Sequence, residues 1–106
     1  MERIKLEDAI NLQISSELKL YKMMILQKTK EEILAEAFQI ASMIEMYETL
    51  VELIPQMTDR EIYQCLQVSG LLFAVYEKWL KIPDEESREK EECVWSFIGR
   101  TSTNVA

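Results

Sequence analysis

The groups in this chain that could do chemistry are carboxylates and thiols. Asp and Glu number 19 and Cys 2, while His is absent. The commonest general base and the commonest metal ligand are thereby both missing. Cys65 and Cys93 have no Cys-x-x-Cys spacing, and without histidine they complete no four-ligand zinc site unless carboxylates or a second chain join. Cys93 directly follows Glu91 and Glu92, whose charges should raise its thiol pKa and blunt it as a nucleophile. Both thiols read as small core residues of a protein kept reduced. A serine or cysteine nucleophile would have only Lys, Tyr, Asp or Glu as its base. Glycine occurs only at Gly70 and Gly99, too sparsely for a phosphate-wrapping loop. Glu32/Glu36 and Glu48/Glu52 share helical spacing with carboxylate metal bundles but lack the Glu-x-x-His partners, and read as solvated faces. Asp84 to Glu92 has neither the alternating oxygen ligands nor the central glycine of an EF-hand loop. The expectation is a protein with no catalytic residues, no cofactor and no metal.

Charge is distributed unevenly. Residues 1–30 hold six basic and four acidic groups, net +2; the remainder holds fifteen acidic and six basic groups, net −9, which together give −7. Such a body repels phosphate, so direct nucleic-acid binding is not expected. Six acids fall in one run: Asp84, Glu85, Glu86, Glu89, Glu91 and Glu92, with Arg88 and Lys90 as its two bases. The run reads either as a solvent-facing helix with a Glu86–Lys90 pair at i,i+4, or as a docking surface for a basic, nucleic-acid-handling protein. The amino terminus shows no charged-then-apolar signal layout. The longest apolar run, Leu71 to Tyr76, is far short of the ~20 residues that cross a membrane. A cytoplasmic protein away from membranes is the expectation.

These groups must be positioned by helices, because every long segment carries a helical period. Ile10, Ile14, Leu18, Tyr21 and Ile25 form one stripe of a first helix over about residues 6–27. Leu12, Met23 and Leu26 lie on a different side of it, so this helix is either sandwiched in its own domain or shared with a partner or second copy. Thr29 and Glu32 form a capping box that opens the next segment. The apolar phase of Ile33, Leu34, Ala37, Phe38 and Ala41 differs by about 110° from that of Met43, Ile44, Tyr47, Leu50, Val51 and Ile54, counted at ~100° per residue. Ser42 and Glu45 make a second capping box at the slip, which predicts a helix boundary there; the alternative is one central helix buried on most sides. Pro55 ends this stretch. Thr58 and Glu61 make a third box before Ile62, Tyr63, Cys65 and Leu66. Ser69-Gly70 punctuates the chain ahead of Leu71, Leu72, Val75, Tyr76, Trp79 and Leu80. A last helix is predicted to start at Pro83 with acids in its first turn, to anchor through Val94, Trp95, Phe97 and Ile98, and to end at Gly99. Tyr76, Trp79, Trp95 and Phe97 read as core, and the methionines, Met23, Met24, Met43 and Met46 among them, as core filler, with an adaptable binding groove as the alternative. The fold class is all-α: a compact bundle of about five or six helices over residues 1–99, with residues 100–106 a flexible tail.

Glu31-Glu32-Ile33-Leu34, Ala37-Phe38, the helix opening near Thr58 and Val75-Tyr76-Glu77-Lys78-Trp79-Leu80 together resemble a family of short uncharacterised helical domains common in gut Firmicutes, their phages and mobile elements. The resemblance covers about residues 16–81. It implies an all-helical fold and a mobile-element setting, and attaches no catalytic role to any residue. The function expected is therefore that of a non-enzymatic interaction module, in its sharpest form an anti-CRISPR-like inhibitor of a host defence nuclease acting through the acidic surface. The alternative is a regulatory or adaptor subunit using the apolar face of the first helix, with a homodimer as one version. A carboxylate-based enzyme comes third.

Overall fold

The computed structural model describes residues 2–83, 86 and 88–99. It is all-α: α1 (Arg3–Leu26), α2 (Lys30–Ala35), α3 (Ala37–Leu53), a 3-10 turn (Ile54–Gln56), α4 (Asp59–Leu66), α5 (Leu71–Leu80) and α6 (Lys90–Phe97). Both Thr boxes close as their sequence requires. Thr29 Oγ1 accepts from Glu32 N while the Glu32 carboxylate accepts from Thr29 N, and Thr58 and Glu61 repeat the pattern. Pro55 sits in the turn that ends α3. Gly70 and Gly99 adopt the left-handed φ values of 69° and 89° that favour glycine at such junctions.

The core forms where α1 packs on α3, α4 and α5, and where α3 and α5 pack on α6. Leu6, Ile10, Ile14 and Leu18 are the buried stripe of α1. They meet Met43, Met46, Leu50 and Leu53 of α3, and Leu71, Leu72, Val75, Tyr76 and Trp79 of α5. Trp95, Phe97 and Ile98 pack against this core half-buried, and Val94 is fully inside it.

Two boundaries differ from the sequence expectation. The chain does not break at Ser42, which is buried in the middle of α3. It breaks at Glu36, whose φ of −103° and ψ of 12° end α2 and start α3. The phase slip is real but has another cause: Leu34, Ala37, Phe38 and Ala41 are exposed and Ile33 is only half-buried. The helix therefore has no need to turn, because the first apolar set never faces the core that the second set fills. The last helix likewise starts at Lys90 and not at Pro83. Trp79 Nε1 donates to the Arg88 carbonyl at 2.7 Å, and Glu89 is extended at ψ 128°. The indole thereby holds the chain out of helix until the following residue. The expected i,i+4 pairing of Glu86 with Lys90 is lost, and Lys90 instead reaches Glu45 of α3 at 3.4 Å.

Candidate functional site

Among the described residues no constellation with catalytic geometry forms around the thiols. Cys65 and Cys93 are buried and free. Burial pushes the Cys65 thiol up to about 11, with the Glu61 charge adding to it. Cys93 is also raised, by burial and not by its acidic neighbours in sequence, while Lys78 opposes the shift. Both are thiols in the neutral range and poor nucleophiles. Of the carboxylates four apart, Glu32 is spent on its capping box and Glu36 pairs with Lys28 at 2.7 Å. Glu48 and Glu52 stand exposed. Among the described residues no group of three or more Cys, Asp or Glu could hold a metal ion, and no helix is long and apolar enough to cross a membrane.

Two polar residues that sequence reasoning passed over organise the body. Glu17 of α1 accepts from Leu71 N at 3.1 Å and Leu72 N at 2.6 Å, capping α5 from another helix. The signal for it was the glycine ahead of α5, which brings no side chain to cap those donors. Arg3 bonds Glu7, Asp59 and the Ile54 carbonyl, tying the start of α1 to the turn before α4.

The acidic run is arranged by its two bases. Arg88 and Lys90 lie over the Trp79 ring at 4.7 and 4.1 Å from its centroid, and Tyr76 stacks on the same indole at 5.9 Å. The cations are drawn to the aromatic shelf, while Glu86, Glu89 and Glu91 are exposed and Glu92 is half-buried. Asp84 and Glu85 lie outside the described residues. Between α5 and α6 an open groove of about 690 Å³ is lined by Glu77, Lys78, Lys81, Glu86 and Glu92 among others. Both charge signs line it, so it selects for neither a cation nor an anion. The Tyr76 hydroxyl is buried and has no hydrogen-bond partner among the described residues.

A second surface lies at the C-terminal end of α1. Leu6 and Met24 are 18 residues apart, five full helical turns at 3.6 residues each, and so occupy the same side of the helix. Leu6 is 0% exposed and Met24 60%. The core therefore stops at Leu18 and α1 runs on beyond it. None of residues 19–41 is buried. They form an arm: the last two turns of α1, the Thr29-capped turn, α2 and the start of α3. Within it Leu20, Met23, Met24, Leu26, Leu34 and Phe38 each leave more than half their surface in water, with Leu26 at 78% and Phe38 at 73%. Leu12, on the outer face of α1 nearer the body, is exposed as well. Met23 and Met24 are thus surface residues and not core filler, whereas Met43, Met46 and Met57 are core. The arm is held at its root by the Lys28–Glu36 ion pair and by the edge-to-face contact of Tyr21 with Phe73 at 6.1 Å.

No protein-family model, curated protein or solved structure matches the chain. Its described residues form a small all-α domain that carries an apolar arm and, on α5 and α6, an acidic shelf.

Proposed function

We propose that the protein is a non-enzymatic protein–protein interaction module that binds through the apolar arm. The carrying observation is the run of residues 19–41, unburied throughout yet presenting six large apolar side chains. Monomeric soluble proteins rarely leave contiguous apolar surface beyond a few hundred Å², and larger patches mark interaction sites. Leu12, Met23 and Leu26 of the outer α1 face belong to this surface. A cytoplasmic setting, where buried free thiols persist, accompanies the proposal.

The test is Leu26→Glu, Leu34→Glu and Phe38→Glu in one chain, measured by circular dichroism and thermal unfolding at a concentration where dilution no longer shifts the transition. A binding arm outside the core tolerates all three, each within about 0.5 kcal/mol as for ordinary surface changes. Loss of several kcal/mol places the arm in the core and removes the proposal.

A second reading rests on the Trp79 shelf. With Arg88 and Lys90 held over the indole, the face offered by Glu86, Glu89 and Glu91 suits a basic, nucleic-acid-handling partner such as a host defence nuclease. The resemblance to mobile-element domains supports this anti-CRISPR-like version. Charge complementarity mainly speeds encounter. In cleavage assays with purified CRISPR nucleases, wild type should then lower cleavage, and Glu86→Gln/Glu89→Gln/Glu91→Gln should lower it less. Equal inhibition by both proteins, or none by either, removes this reading.

A further inference from the structure

We infer that the occupant of the apolar arm is a second copy of this chain, seated arm against arm about a two-fold axis. The inference rests on the reading of the arm as a binding element and adds the identity of its partner. Three observations carry it.

The first is area. Six side chains, each more than half exposed, amount to several hundred Å², since one aromatic side chain alone covers roughly 150–250 Å². A standard interface needs ~800 Å² from each partner. A two-fold interface uses the same patch on both sides, so a second copy brings the same six apolar side chains to the contact.

The second is charge. Residues 19–41 hold Lys19, Lys22, Lys28 and Lys30 against Glu31, Glu32 and Glu36, net +1, which leaves −8 of the total −7 on the rest of the chain. Two bodies of −8 repel, and the arm is the part where copies approach with least opposition. A strongly acidic partner would be repelled by the body beside the arm. A strongly basic one would be steered to the body and away from it.

The third is shape. Burial along α1 ends at Leu18, and none of residues 19–41 is buried. That pattern is an arm that projects beyond its own core. Pairing two arms places each against the surface that its own domain leaves uncovered.

Sedimentation equilibrium of wild type and of Leu26→Glu/Phe38→Glu tests the inference, with circular dichroism on both. The expected result is a twofold mass for wild type and a folded monomer for the variant. A dimer that survives the double substitution uses another face and overturns the inference. A wild type monomeric up to the highest soluble concentration, with a variant equally folded, overturns the second copy and leaves the arm as a site for a different protein. An unfolded variant shows the arm to be core, and the inference fails together with the reading beneath it.

Discussion

The three Ser/Thr-x-x-Glu motifs that read as capping boxes separate at the level of single residues. Thr29 and Thr58 accept from backbone N–H groups at 3.2 and 3.1 Å, and Ser42 is buried mid-helix. Thr58→Ala should cost about 1 kcal/mol, as loss of an N-cap typically does. Ser42→Ala should change stability by less than about 0.5 kcal/mol, because alanine is the better helix former and keeps the site filled. Urea unfolding of the two variants measures the contrast, and a Ser42 cost as large as that of Thr58 would restore a helix start at Ser42. The thiols give a second expectation at this scale. Cys65 stands at about 11 in the folded protein against an ordinary 9.0, and Cys93 is raised as well. The folded state therefore holds these protons more tightly than the unfolded chain does. The stability this contributes is complete below about pH 9 and is lost as pH rises toward 11. The urea midpoint should fall over that window, and Cys65→Val should flatten the fall; an unchanged slope would mean that Cys65 ionises freely when folded.

At the scale of helices, the exposed arm predicts uneven protection of backbone amides. Amides of α1 up to Leu18, and those of α3 and α5 beneath the core, should exchange with solvent only on global unfolding. Amides of residues 19–41 should open locally and exchange faster, since few buried contacts hold them. Hydrogen–deuterium exchange at low protein concentration reads this directly, and uniform slow exchange along α1 would show that the arm is covered within the monomer. The same elements show what the sequence could and could not disclose. Helix type, the Thr29 and Thr58 starts, the stop at Pro55 and the turn at Gly70 were legible, because each is written in a few adjacent residues. The break at Glu36 was not, because neither Glu36 nor its neighbours carry a stop signal. The late start of α6 was also hidden, since it depends on Trp79 reaching the Arg88 carbonyl across the fold. Of the candidate surfaces, Leu12, Met23 and Leu26 were visible as a second face of α1. Leu20, Met24, Leu34 and Phe38 were not, because periodicity records which residues share a side and not where the core ends.

For the whole molecule, the two candidate surfaces give opposite responses to salt. The chain carries −7, so two copies repel as they approach, and counter-ions that screen this field lower the cost of bringing them together. The Debye length shortens from ~30 Å at 0.01 M to ~8 Å at 0.15 M ionic strength, which is shorter than the 46 Å long axis of the chain. Repulsion between the acidic bodies of a paired molecule is thereby largely removed at physiological salt. The apolar contact between arms does not weaken over this range, because its driving force is the removal of hydrocarbon from water. Dimerisation through the arm should therefore tighten from low to physiological salt. Association of the Glu86, Glu89 and Glu91 face with a basic protein should instead slow, because the attraction that steers it is screened. Sedimentation velocity across a salt series measures the first, and stopped-flow association with the basic partner the second. Self-association that weakens as salt rises would point to contact between Lys19, Lys22 or Lys30 of one copy and the acidic body of the next. Such a head-to-tail contact is not closed by a two-fold axis, and species beyond the dimer would grow as salt is lowered.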